Sequence, residues 1–455
     1  APDAPPAGRA QRPPLAWRLL PDRIFYGWYV ALACTAMMFV IVGVGYYGLA
    51  VFLRPLQQEH GWSSSVVSSA TGLYFALSGL AAFAVGPLID RRGPRPFMTA
   101  GIVLTAGGAA ALGRIDSLAQ LYAVYAVMAC AYGMASGVSV NSLLSRWFIQ
   151  HRAKAQSISS TGVSLGGAVL VPVGTALVNE GGLALAAPAL GALVVLVAMP
   201  VLWLVVSPEP AELGLVPDGA PRQRPPGARP PRIRFSRANL PTATQYRTWT
   251  RAEALGARSF WALLVGFSMA LATQTAVLIH QLSFLQGPDK LGSRSAAALA
   301  ITTTTVGSIT ARLVVGLFAD GFDRRRLAVF FFLAQGSAVF AYVHVHSGAA
   351  IYAVALLFGF TIGNVYMMQA LLTGEIFGLR SFGSVFGVIS LAGQLGSAAG
   401  LVFMGWLHDR SGGYTAPFTI LAAVNALGAL AVSRARAVPA APTAPAPTPG
   451  EAAPS

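Results

Sequence analysis

Apolar runs of about 20 residues recur from one end of this chain to the other, each long enough to cross the roughly 30 Å hydrocarbon core of a bilayer as a helix. The chain is 55% hydrophobic and only 10% charged over 455 residues, against about 25% charged in an ordinary soluble domain. A soluble fold is excluded. A membrane β-barrel is a poor alternative, because its strands alternate over about ten residues, whereas these runs are far longer and apolar on every face. The pattern predicts an all-α membrane protein.

Spans are predicted near 26–52, 65–88, 97–113, 117–144, 155–178 and 182–206, then near 259–285, 295–318, 327–345, 349–373, 381–407 and 414–433. Twelve transmembrane helices thus form two six-helix bundles, 23–206 and 258–433, joined by a linker at 207–257 rich in Pro and Arg. The tails 1–22 and 434–455 are rich in Pro and Ala and read as disordered. No signal-peptide core is visible in 1–22. Of the 31 Lys and Arg, 25 fall in the tails, the linker and the loops on one side, five on the other, and one, Arg312, inside a span. Basic residues are retained on the cytoplasmic side, so both termini are expected there, in the cytoplasmic membrane. The net charge of +15 then reports topology, and no nucleic-acid partner is expected. Cys34 and Cys130 both lie in apolar spans, which supports neither a disulfide framework nor a metal site. No cofactor is expected, membrane lipids are the surroundings, and the chain is read as a monomer.

A single offset of 230 residues relates the two halves. It places Gly86 and Asp90 on Gly316 and Asp320, Tyr122-Ala123-Val124 on Tyr352-Ala353-Val354, and Gly133 on Gly363. Duplicated bundles of this kind can rock about a site near the membrane midplane.

Between spans 2 and 3 runs Gly86-Pro87-Leu88-Ile89-Asp90-Arg91-Arg92-Gly93-Pro94-Arg95. A carboxylate among arginines near helix ends can hold one conformation through charge-assisted contacts and release in another. The loop resembles the signature loop of the major facilitator superfamily, and Gly316 to Arg326 is a second copy lacking the later Gly. Within that superfamily the chain resembles the branch of monocarboxylate transporters and bacterial oxalate/formate antiporters. The residues carrying this are Phe25-Tyr26-Gly27-Trp28-Tyr29-Val30, Phe52-Leu53-Arg54-Pro55-Leu56, Gly61-Trp62-Ser63, Trp147-Phe148, Arg152, Gly162 to Gly167, and Arg312-Leu313-Val314-Val315-Gly316. The resemblance implies the twelve-helix fold, with spans 1, 4, 7 and 10 lining a central cavity. It also implies gating positions at Gly86, Asp90, Arg91, Gly93, Arg95, Arg152, Asp320 and Arg324, and Glu375, before Arg380 at the inner end of span 10, reads from its position as a gate salt bridge. There are departures. Ser157 stands where Gly is usual, span 11 lacks the oxalate transporters' lysine, span 1 has no charge, and Ser308 replaces the acid that mammalian members carry one turn before the Arg. A small monoanion is therefore favoured over a dicarboxylate held between two cations.

Arg312 is the one Asp, Glu, Lys or Arg inside a predicted span. Burying it costs from about 2.5 to beyond 10 kcal/mol, depending on method, so it should meet a cavity or a partner. Asp320 lies eight residues on, about 12 Å along a helix and out of direct reach. The repeat counterpart of Arg312 is Ala82, so the charge is no requirement of the fold. Two readings stand. Arg312 binds the carboxylate of a small organic anion through its planar fork, or it ties span 8 to carbonyls, Glu375 or Asp320.

His280, near the outer end of span 7, either senses protons or is a hydrogen-bonded vestibule residue. Tyr46, Tyr47, Asn141, Gln274, Asn364, Tyr366 and Gln394 are the other candidate substrate contacts, although buried amides also bond across helices for packing alone. The glycines of spans 5 and 11 suit close packing at the bundle interface. Gly43-Val44-Gly45-Tyr46-Tyr47-Gly48 and Gly162-Val163-Ser164-Leu165-Gly166 imitate a dinucleotide fingerprint and a nucleophile elbow. Neither has the strand it would need, and no catalytic constellation exists. The expected function is secondary transport of a small organic anion, most simply a monocarboxylate, with a proton or counter-anion as coupling partner. Efflux of a larger amphipathic or neutral solute is the alternative.

Overall fold

A computed structural model describes residues 14–19, 21, 24–62, 64–219, 249–287, 289–379 and 381–436. Among these, eleven helices are long and apolar enough to cross a membrane. One of them, Arg152–Leu204, has 53 residues and leaves helical geometry at Gly181 and Gly182. It is nearly twice the length one crossing requires, so it supplies spans 5 and 6, and the total is twelve.

Span 1 is Gly27–Val42, a π-helical turn Gly43–Tyr47, and a continuation Gly48–His60. The helix therefore runs on through Leu56, beyond the end near residue 52 that the apolar pattern predicts, and stops at Gly61 in a left-handed conformation (φ 67°). Span 2 is Ser64–Arg92 and span 3 Arg95–Ala111. Span 4 is Leu118–Ala135 and Gly137–Trp147, broken at Ser136. The second set is Arg258–Leu285, Arg294–Phe318, Arg324–His344, Gly348–Phe377, Phe382–Ser411 and Thr415–Ser433, numbered spans 7 to 12.

Helices are the element that pairs every backbone polar group internally in lipid. Their ends need outside help, which short polar side chains give. Ser117, Ser293, Asp323 and Ser347 cap spans 4, 8, 9 and 10. Lys290 closes the opposite end of span 9, its ammonium donating to the carbonyls of Tyr342, Val343 and Val345 at 2.8–2.9 Å.

One apolar core lies among spans 1–6 and two lie mainly among spans 7–12, one of these two taking in Ala153 of span 5 and Ala254 of the linker's last helix. A fourth cluster, including Ile89, Val138, Ala370, Phe382 and Phe386, bridges the bundles. It lies toward the end of the molecule that carries Arg91, Arg92 and Arg324, here termed the basic end. The glycine stripes divide their work. Gly383 and Gly387 of span 11 face span 2, whereas Gly396 and Gly400 face span 7, and Gly162 and Gly166 of span 5 face span 1. The bundle interface thus uses part of the span 11 stripe, and the span 5 stripe packs within its own bundle.

Parts of the tails and linker are ordered. Leu15–Leu19 is helical, with Trp17 edge-on to Tyr26. The linker opens with a turn at Pro210–Leu213 and ends in the helix Arg251–Gly256, started by a reciprocal Thr250–Glu253 cap.

The break between spans 5 and 6 generates a prediction. Gly182 has φ 63° and ψ −163°, a region open essentially to Gly alone, where another residue costs about 1–3 kcal/mol. Gly182→Ala should lower the melting temperature of the detergent-solubilised protein. Gly107→Ala, where a Cβ would meet nothing within 4 Å, should leave it level or raise it. Equal effects from both would contradict the break as a strained hinge.

Candidate substrate site and the closed end

A cavity of about 190 Å³ lies between the bundles, lined by residues of spans 1, 2, 4, 5, 7, 8, 10 and 11. Arg312 lines it while being only 4% exposed. Its Nη1 donates to the Ser160 carbonyl at 2.8 Å and to Ser164 Oγ at 2.5 Å, both on span 5 of the other bundle. Ser157 Oγ, on the same helix, donates to the Arg312 carbonyl. Nε is buried with no hydrogen-bond partner. Among the described residues no carboxylate pairs with this guanidinium. Asp320 and Glu375, the two acids weighed as its partners, are instead held by Arg324 at 3.4 Å each.

Gly363 explains how the group fits. A Cβ there would lie 1.6 Å from Arg312 Nε, so the missing side chain is the space the guanidinium occupies. The repeat counterpart Gly133 lets span 4 approach Ala81 and the Ser78 carbonyl of span 2. One repeated glycine therefore serves helix packing in one half and seats a charge in the other.

Tyr46, Tyr47, Asn141, Gln274, Tyr366 and Gln394 line the same cavity as Arg312. Two expected contacts do not. Asn364 is fully buried and donates to the Phe360 carbonyl within its own helix, because it follows Gly363 and points away from the cavity. His280 lies by Tyr414, 3.4 Å from its hydroxyl, in an aromatic group that includes His408. The cavity holds polar residues the sequence reading passed over, among them Tyr132, Ser136, Gln156, Ser160, Thr275 and Gln369. Gln156 was legible in principle, since it and Ser160 share a face one turn apart in a helix whose Gly pattern was recognised. The π turn Gly43–Tyr47 had no signal beyond the false dinucleotide string. Such turns insert a residue and often mark functional sites, and here two successive tyrosines reach the cavity.

At the basic end the bundles are clasped twice. Asp90 accepts from the backbone N–H groups of Gly383 and Ser384 at 2.8 Å and from Ser384 Oγ at 2.5 Å. Asp320 accepts from the N–H groups of Ala153 and Lys154 at 2.8 and 3.2 Å. Donors and acceptors alike differ by the 230-residue offset. Each carboxylate sits on the N-terminus of a helix of the opposite bundle, where unpaired N–H groups and the helix dipole favour an anion. The partners across the interface are thus helix ends, and of the arginines Arg324 pairs with Asp320 within its own bundle. Gly86 lies directly against the Gly383 carbonyl and Gly316 against Ser157. Arg152 donates to the Ala370 carbonyl at 3.1 Å and lies over the Phe382 ring. Arg95 donates to the Trp203 carbonyl and stacks on its ring. Gly93 makes the turn with φ 78°, and Arg91 is exposed. Arg324 and Glu375 pair within one bundle. Arg380 lies outside the described residues.

The start of the linker fastens onto this end. Trp147 Nε1 donates to the Ser207 carbonyl at 2.9 Å. Asp218 accepts from the backbone of Ile149, Gln150 and His151 and contacts His151 Nδ1 at 3.3 Å. Burial alone would raise the Asp218 pKa, but the His151 contact and these backbone donors hold it below the usual carboxylate value.

A polytopic carrier built from two similar six-helix bundles around a polar cavity is what this geometry defines. The chain belongs to the Major Facilitator Superfamily, whose family model matches residues 34–289 and 283–454. Among curated relatives it is 28% identical to the oxalate:formate antiporter of Oxalobacter formigenes, over 32% of this chain and 34% of that protein. The chain thus spans about a third of the length of that relative. It is 21% identical to monocarboxylate transporter 13 of Bos taurus over 90% of this chain and 89% of that one. Both are of the branch that the motifs resemble. The fold matches the transporter FucP in its outward conformation, with TM-score 0.66, 14% identity and coverage of 89% and 98%. It also matches the human organic anion transporter TETRAN, with TM-score 0.68, 14% identity and coverage of 91% and 100%.

Two predictions concern the closed end. With Cys130 replaced by Ser, Asp90→Asn should speed alkylation of a cysteine introduced at the buried interface position Val138 several-fold, because the amide turns an acceptor into a donor against an N–H. An unchanged rate would mean that the clasp does not hold the bundles. Asp218→Asn should lower the melting temperature at pH 7. A depressed folded pKa stabilises above the unfolded value and is lost as pH falls through the folded one. The gap between variant and parent should therefore narrow below about pH 4, and a pH-independent gap would contradict the assignment.

Proposed function

We propose that this transporter moves a small organic anion, a monocarboxylate, across the cytoplasmic membrane by alternating access, with its carboxylate bound by Arg312. The supporting observation is the state of that guanidinium. It lines the cavity, meets no acid among the described residues, and spends Nη1 alone on the protein. Nε is packed against Gly363, so Nη2 carries the donors left for a carboxylate, a group that arginine is suited to hold. Tyr47 and Tyr366 line the same cavity, giving an apolar body and hydroxyl tips around a small ligand.

The excess of Lys and Arg at the basic end supports a cytoplasmic placement of that end, with both termini inside. The clasps then close the cavity toward the cytoplasm, and the stripped helix ends of the opposite state would carry the rocking motion. Among the described residues no carboxylate lines the cavity, and the proposal assigns charge balance to a proton travelling with the substrate or to a counter-anion on the return.

Uptake into proteoliposomes, with a panel of lactate, formate, oxalate, acetate and aromatic acids, tests the reading. Arg312→Gln should cost at least tenfold in uptake, consistent with about 2–5 kcal/mol for truncating one side of a buried charged pair. Arg312→Lys should recover only part of it, and Gly363→Ala should weaken affinity by displacing the guanidinium. Normal transport and affinity in Arg312→Lys and Arg312→Gln would sink the proposal. Movement of neutral amphipathic solutes with no acid of the panel would replace it with the efflux reading.

A further inference from the structure

Five arginines gather at one corner of the basic end, where the starts of spans 7 and 9 meet the end of span 12. Span 12 is tied to both neighbours at depth. Thr273 Oγ1 donates to the Leu421 carbonyl at 3.1 Å, and Asn425 Nδ2 to the Phe332 carbonyl at 3.0 Å. At the rim, Ser259 Oγ donates to the Arg436 carbonyl at 2.9 Å and accepts from the Arg436 N–H at 3.0 Å. Arg325 Nη1 reaches the Ala435 carbonyl at 3.5 Å. These contacts bring Arg258, Arg325, Arg326, Arg434 and Arg436 to one rim, and all but Arg325 are exposed. Among the described residues the one carboxylate paired with any of the five is Asp323, 3.7 Å from Arg326.

The internal repeat shows that the fold does not require this cluster. At the offset of 230 the counterpart of Arg325 is Arg95, and the two do the same work. Arg95 donates to the Trp203 carbonyl at the end of span 6, as Arg325 does to Ala435 at the end of span 12. The counterparts of Arg258, Arg326, Arg434 and Arg436 are Trp28, Pro96, Leu204 and Val206. Four charges are thus additions of the second half. Helix energetics do not account for them either, because Arg258, Arg325 and Arg326 stand in first turns, where the helix dipole disfavours a cation. Basic residues that only mark one side of a membrane have no need to share a corner.

Apolar surface lies directly beneath the charges. Trp261 follows Arg258 by one turn, Phe330 follows Arg326, and Leu430 precedes Arg434, each on the face of its arginine. They are 54%, 55% and 50% exposed. Trp261 Nε1 donates to the Leu255 carbonyl at 2.9 Å, as suits an indole at headgroup level. Each of three neighbouring spans therefore sets an exposed cation about 5–6 Å above an exposed apolar side chain. We propose that this corner binds an anionic phospholipid of the leaflet at the basic end. The arginines hold its phosphate, and its acyl chains lie against Trp261, Phe330 and Leu430. Guanidinium forks suit phosphate oxygens, and basic pockets between membrane helices take anionic headgroups. A zwitterionic lipid brings its own cation to the same rim and is disfavoured. The inference stands apart from the reading of Arg312.

The test is lipid binding by the full chain in detergent, read by native mass spectrometry, with phosphatidylglycerol and phosphatidylcholine of identical acyl chains. The chain should hold phosphatidylglycerol at least tenfold more tightly. Arg258→Gln combined with Arg434→Gln should weaken that binding about tenfold or more, since each basic group near an anionic headgroup contributes several-fold. Arg91→Gln combined with Arg92→Gln removes as much charge from exposed positions of span 2 and should change it less than about twofold. Equal affinity for the two lipids overturns the proposal. So do equal losses in the two double variants, which would mean attraction to net charge alone. Soluble glycerol 3-phosphate at millimolar concentration should leave the lipid bound, and displacement by it overturns the lipid assignment. Should the first double variant fail to fold, Arg326→Gln decides. Its side chain is 84% exposed, and the substitution should weaken phosphatidylglycerol binding several-fold; unchanged binding overturns the proposal.

Discussion

Two carboxylates seated on helix ends across the bundle interface organise this molecule. Asp90 caps the start of span 11 and Asp320 the start of span 5. Each donates nothing and accepts from backbone groups that a helix N-terminus leaves unpaired. Charge-assisted hydrogen bonds of this kind contribute on the order of 1.5–3 kcal/mol apiece. They are strong enough to close one end and few enough to be released together. The apolar plug around Phe382 and Phe386 and the close approach of Gly86 to Gly383 follow from the same approach of helices. Because the two clasps are related by the internal repeat, neither bundle dominates the closure.

The closed end in turn sets up the cavity. Spans 5 and 8 meet at Gly316 and Ser157, and this contact brings the Ser160 carbonyl and Ser164 Oγ of one bundle to the guanidinium of the other. Arg312 is thereby half satisfied by protein. Full satisfaction would make it a structural tie, and complete isolation would be too costly in a low-dielectric interior. The intermediate arrangement fits the role proposed for Arg312, in which it holds an anion and lets it go. It also couples the site to the interface, because separating spans 5 and 8 would take Arg312 away from both of its partners.

The positions of the spans, the repeat and the lone intramembrane arginine were readable along the chain. Each depends on local composition or on a fixed spacing. Several errors had a common source. Asn364 and Gly363 are adjacent in sequence and point to opposite sides of span 10, which polarity alone does not reveal. Gln156 shares a helix face with Ser160, but a glutamine in an apolar helix carries no mark of its own that distinguishes a packing role from a free amide. Asp90 was expected to face arginines because they are its neighbours in sequence, whereas its partners stand nearly 300 residues away. Span 1 continues past its predicted end near residue 52 because Pro55 is tolerated within the helix, and the termination signal was Gly61.

The sequence by itself determined that this chain lies in a membrane, crosses it twelve times and divides into two related halves, since hydrocarbon admits only apolar helices of sufficient length with their backbones internally paired. It also determined that one guanidinium would be buried without an acid near it on its own helix. Which groups meet that guanidinium, which helix ends the two aspartates cap, and which of many polar residues face a common cavity were decided by tertiary structure alone. Those choices depend on the rotation of each helix and on contacts between residues far apart in the chain. A helix's composition leaves its rotation open, because a span surrounded by lipid and neighbouring helices is apolar on nearly every side.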